Sequence, residues 1–169
     1  NTDFGHHALE IVLNSPSVDF IASPNSYLNA RSPDNDWPYI AMVDSAKLHG
    51  KLWFFECDTR TAQTRLLKDS RADVCPDAPI YEGGVWVGPE SDELALQLCR
   101  RNVARMLTSS QGAWWFDMWG GWFDAQAYRK LIQDSQLWMS GQRDECHFAA
   151  EIAVFVDETG FSYSALDHP

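Results

Sequence analysis

The sequence has no C-x-x-C pair, no Lys/Arg cluster, no internal repeat, no low-complexity tract and no apolar run of bilayer length. Each absence excludes something. Without paired cysteines a structural zinc site has no ligand set. Without a basic patch, and with 13 Lys and Arg against 24 Asp and Glu for a net charge of −11, neither a nucleic-acid backbone nor an anionic membrane surface fits as partner. The four cysteines, Cys57, Cys75, Cys99 and Cys146, are scattered. They read as free thiols of a reducing, cytoplasmic setting, with two disulfides and an extracellular setting as the alternative. The adjacent His6 and His7 would point apart on a helix, so no metal and no cofactor is expected.

What is present is the composition of a folded domain. Of 169 residues, 45% are apolar and 22% charged, and 13% are aromatic, including 8 Trp. A disordered chain would hold far fewer aromatics. Such Trp content serves either core packing or exposed flat platforms. Trp37, Trp53, Trp86 and Trp138 read as packing.

The order of elements predicts the fold class. "HHALEIVLN" reads as a short helix and Val18–Ala22 as a short strand. A turn-rich loop with Pro24, Pro33 and Pro38 follows, then a helix ending at Gly50. "KLWFFE" is a strand apolar on both faces, the pattern of a parallel strand covered by helices. Cys57 to Pro89 is a long loop with small elements of its own. Residues 90–110 form the clearest helix, with Leu96, Cys99, Val103, Met106 and Leu107 on one stripe and Ser91 or Asp92 as N-cap. "AWWFDM" is a third strand. Residues 124–141 form another helix, with Tyr128, Leu131, Ile132, Trp138 and Met139 inward, and Ile152–Val156 a fourth strand. Strands alternating with helices predict an α/β fold with a parallel sheet.

In such folds chemistry collects at the carboxyl ends of strands. The first strand end is followed by Tyr27, Asn29 and Arg31, the second gives Glu56, Asp58 and Arg60, and the third Trp115, Asp117, Trp119 and Trp122. A carboxylate beside Tyr, Arg and Trp suits a sugar. An indole face stacks on a pyranose, Tyr and Arg orient the carboxylate, and the carboxylate attacks an oxocarbenium-like centre. Each residue also has a plainer use. Glu56 could be a surface carboxylate, Asp58 and Arg60 could pair and brace the loop, Tyr27 could pack it, Arg31 could form a salt bridge, and Trp119 and Trp122 could fold the Gly120-Gly121 loop. Trp114 and Trp115 should face opposite ways along a strand. Trp115, sharing a face with Asp117, is the one expected at the rim.

"SPNSYLNARSP", "LHGKLWFFECDTRT" and "WWFDMWGGWF", in this order, resemble the last three barrel strands of family 42 glycoside hydrolases, β-galactosidase-like retaining enzymes on a TIM barrel. "AEIAVFVDE" resembles the first strand of the flavodoxin-like trimerisation domain that follows that barrel. The resemblance implies a partial (β/α)₈ TIM barrel of about three βα units in residues 1–145 and the start of a flavodoxin-like domain in 146–169. A complete barrel needs about 250 residues. It implies Glu56 as the catalytic nucleophile, with Tyr27, Arg31, Asp58, Arg60, Trp115 and Asp117 around a carbohydrate substrate and a homotrimeric parent. The family's acid/base, a Glu at the end of strand four, has no counterpart among these residues. A retaining enzyme needs two carboxyls about 5–5.5 Å apart. The expectation is therefore a piece of a longer glycosidase, beginning at Asn1 rather than Met, that is inactive without the N-terminal barrel half. A non-catalytic carbohydrate-binding or scaffold module is the alternative.

Overall fold

Strands and helices alternate along the folded chain as the sequence pattern requires. In a computed structural model, residues 8–27, 32–141, 150–157 and 160 are described. The elements are α1 Leu9–Asn14, β1 Phe20–Pro24, α2 Val43–Leu48, β2 Leu52–Cys57, α3 Leu67–Ser70, α4 Asp92–Ser109, β3 Gly112–Trp115 and α5 Gln126–Gly141. Two 3-10 turns, Pro79–Glu82 and Gly84–Trp86, fill the long connection before α4. The three strands form one parallel sheet in the order β1-β2-β3. Pro24 pairs with Glu56, Glu56 with Trp114 and Cys57 with Trp115.

The two faces of this sheet differ. Successive side chains on a strand alternate between faces, and on β2 the buried set is Trp53, Phe55 and Cys57. Leu13 of α1, Val43 and Ala46 of α2, and Met106 of α4 pack with them and with Trp37, and Met139 of α5 lies against the same cluster. Burying one such large side chain stabilises by roughly 1.5–3 kcal/mol. The other face carries Phe20, Leu52, Phe54, Glu56 and Trp114. There Phe54 stacks on Trp114 at 5.3 Å and meets Phe20 edge-on at 6.2 Å. Phe20 remains 58% and Leu52 42% exposed. The strand is apolar on both sides, as its sequence indicates, yet the helices gather on one. Gly112 is required here, because a Cβ at this position would run into the Phe54 ring.

The helices follow their sequence signals with two shifts. Ser91 caps α4, its Oγ accepting from the Leu94 N–H at 3.2 Å, and Asp92 and Glu93 sit in the first turn where the helix dipole favours acid. The α4 stripe is wider than predicted. Cys99, Val103 and Met106 are buried, and so are Ala95, Leu98 and Asn102, because the helix touches both the sheet and α5. On α5 the inward line runs Tyr128, Leu131, Ser135 and Met139. Trp138 falls one residue off that line and is 49% exposed, so it does not pack as expected.

The predicted strand over 152–156 is not formed. Residues 152–157 carry no regular structure, and Ile152, Val154 and Phe155 are exposed. The apolar pattern is present, but a strand exists only through a hydrogen-bonded neighbour, and β3 is the last strand of the described sheet. The expected boundary between 145 and 146 lies outside the described residues. No described helix is long and apolar enough to cross a membrane.

Candidate active site at the strand tips

β2 delivers Glu56 at its carboxyl end, half-buried, on the less covered face between Pro24 and Trp114. The next residues turn inward. Cys57, Asp58, Thr59, Arg60 and Thr61 are all buried. Asn102, wholly buried on α4, supports this turn: its Nδ2 donates to Thr59 Oγ1 at 2.7 Å and approaches Cys57 Sγ at 3.7 Å. Nothing in the sequence reading singled out Asn102. The available signal was a lone amide on the buried stripe of an otherwise apolar helix face, which must find a partner.

Asp58 and Arg60 pair, as the bracing alternative holds. Arg60 Nη1 donates to Asp58 Oδ2 at 3.1 Å and to its carbonyl at 3.0 Å, with both side chains almost completely buried. Three indoles surround the guanidinium carbon, Trp122 at 4.7 Å, Trp86 at 5.3 Å and Trp119 at 5.4 Å from their ring centres. Trp86, read from sequence as simple packing, is thus one wall of a cation-binding box.

The loop after β3 locks onto the loop after β2. Phe116 N–H donates to the Cys57 carbonyl at 3.1 Å, continuing the ladder past the strand. Thr61 Oγ1 donates to the Trp122 carbonyl. Trp119 Nε1 donates to the Arg65 carbonyl at 3.0 Å, and Ala125 N–H to Gln63 Oε1 at 2.9 Å. Asp117 closes its own turn, its Oδ2 accepting from the Trp122 N–H at 3.2 Å. That turn depends on Gly120 and Gly121, both at φ +86° in the left-handed region.

The residues expected to share a site do not all meet. Trp115 and Trp114 face opposite ways, and the indole on the Glu56 face is Trp114. Trp115 packs on the helix-covered side against Phe123, at 5.4 Å, and joins both core clusters. Tyr27 is 44% exposed beyond β1, where Asn25 Nδ2 donates to the Trp37 carbonyl at 2.8 Å and holds the turn. Arg31 and Asn29 lie outside the described residues, as do His6, His7 and Cys146. Among the described residues, Cys75 and Cys99 are free thiols.

Two titratable groups beneath the rim are held neutral. Burial pushes the Cys99 thiol up to about 12. Burial also pushes the Tyr128 phenol up, helped by its hydrogen bond to Asp92 Oδ1 at 2.7 Å. Both sit among the α4–α5 core and serve packing. The described residues contain no cluster of three or more His, Cys, Asp or Glu able to hold a metal. A cleft of about 390 Å³ opens on the helix layer, lined by Leu9, Leu13, Met42, His49 and Val156 among others, and shares no residue with the strand tips.

Three kinds of comparison bear on this arrangement. No protein-family model, no curated protein and no solved structure matches the chain.

Proposed function

We propose that this chain is the C-terminal part of a retaining, β-galactosidase-like glycoside hydrolase barrel, with Glu56 as its nucleophile. One observation carries the proposal: Glu56 lies at the carboxyl end of the middle strand, one residue before its last, in a parallel sheet whose helices gather on the opposite face. Consecutive parallel strands lying side by side with helices on a single face are what a segment of a (β/α)₈ barrel has. A complete doubly wound sheet carries helices on both faces, although one βαβαβ half of it has them on a single face as here. In a barrel segment the less covered face is the inner one, and a carboxylate at the strand's carboxyl end meets substrate.

Double displacement needs a second carboxyl as acid/base. Among the described residues, the carboxylates that follow Glu56 and Trp115 are engaged, Asp58 with Arg60 and Asp117 with the Trp122 N–H. The proposal assigns the acid/base, with the rest of the barrel, to strands other than these three. Under this proposal the chain alone does not turn over substrate, and the segment from 146 onward begins the flavodoxin-like domain of a trimeric parent. The test is turnover of an aryl β-galactoside by the longest product of the reading frame, with and without Glu56→Gln. Loss of turnover is expected, and full turnover in the variant removes Glu56 from the role.

A second function has its own support. Asp58, Arg60, Asp117 and Trp115 all have structural uses, which fits a carbohydrate-binding or scaffold module. A reading frame without further βα units before Asn1 would favour it.

A further inference from the structure

We infer that Arg60 is a positioning residue acting as the internal ligand of an aromatic cation box, and that this box joins three loops into one rim. The inference stands on geometry alone and does not depend on the glycosidase proposal.

The three walls come from two stretches of chain. Trp86 belongs to the 3-10 turn before α4, while Trp119 and Trp122 flank the Gly120-Gly121 turn after β3. Trp86 and Trp119 lie nearly parallel, 15° apart with centres separated by 6.4 Å, and Trp122 closes the third side at 77° to Trp119. The guanidinium is within about 6 Å of all three ring centres, the range in which a cation is attracted to a ring face. Asp58, at the tip of β2, provides the counter-charge. Tyr81 packs edge-on against Trp86 at 4.7 Å. Gly88 lets the 84–88 backbone press on the Thr61 carbonyl, where a Cβ would not fit.

A buried cation needs both a counter-charge and other favourable contacts to offset its lost hydration. Here the weakly hydrated guanidinium has three indoles within about 6 Å and donates to Asp58 through Nη1. A lysine ammonium keeps the charge but has no plane to stack and is more strongly hydrated. The box consequently selects arginine rather than positive charge. Since its walls come from both the β2–α4 and the β3–α5 connections, loss of the guanidinium should release both from the Asp58 turn.

Thermal unfolding and tryptophan emission of the whole chain test this. Arg60→Lys should lower Tm by about 10 °C, the scale of a damaged buried pair in a domain of this size, and red-shift the emission as the indoles wet. Arg60→Ala should show the same red shift, and millimolar N-methylguanidinium should reverse it and raise Tm, while equal sodium chloride does neither. An alanine variant that folds and is not rescued by the small cation beyond the salt control overturns the inference. Should the alanine variant not fold, the lysine variant decides. Wild-type Tm and emission in Arg60→Lys overturn the inference, whereas a fall in either, or failure to fold, supports it.

Discussion

The two faces of the β2 strand have nearly the same chemistry and opposite fates. Trp53, Phe55 and Cys57 point into the helix layer and are buried, whereas Leu52, Phe54 and Glu56 point the other way and keep part of their surface in water. An all-parallel sheet ordinarily has both faces covered. Hydrophobicity alone therefore does not tell which side of a strand becomes core. The helices decide, and they arrive with the connections that make neighbouring strands parallel. The side left uncovered is also the side that holds the strand-end carboxylate.

Mutation can test that contrast. The largest effect is expected at Phe55, which is fully buried between Trp37 and Tyr39. Phe55→Ala should cost about 3–5 kcal/mol in urea unfolding, and a cost near that of a surface change would mean the helix side is not the core. Alkaline pH reaches the same side next. The neutral Cys99 thiol is favoured by folding, so its contribution is complete below its ordinary value of 9.0 and is lost as pH rises to about 12. The stability difference between wild type and Cys99→Ala should therefore shrink across that window, and a constant difference would contradict the burial. On the opposite face, Phe54→Ala should cost about 1–2 kcal/mol, from its stacking on Trp114 and partial burial. If the barrel proposal holds, the same change costs more in the longer protein, where that face is inside. Smallest is Phe20→Ser, expected within about 0.5 kcal/mol because the ring is mostly in solvent.

Much of this arrangement was legible in the residues themselves. Turn breakers at Pro24, Pro33 and Pro38, the Gly50 terminus with φ +67°, and the Ser91 cap mark where elements begin and end. These signals are local, so they survive without tertiary information. The parity of Trp114 and Trp115 was equally plain, but parity cannot say which face the helices take, and Trp115 went to the covered one. Trp138 failed for a related reason, since one position of helical rotation separates Met139 in the core from an indole in water. The 152–156 stretch has the composition of a strand but pairs with none of the described strands, and pairing is not written in a single sequence window. At the rim, Glu56 could be picked out because an acid ends an apolar run. The Trp86 wall could not, because it arrives from 26 positions beyond Arg60 through a loop with no periodicity.

The loop after β1 is pinned from far away. Arg101 Nη1 donates to the Ser32 and Asn35 carbonyls at 3.0 and 2.6 Å, and Arg105, stacked over Tyr39, pairs with Asp36 at 2.6 Å. These contacts bridge 66 to 69 positions, so this part of the loop cannot settle until α4 has docked. Closing so long a stretch is slow compared with forming a helix. Residues 32–36 should thus be among the last to acquire protection from hydrogen exchange during refolding, and a protease added early should cut there first.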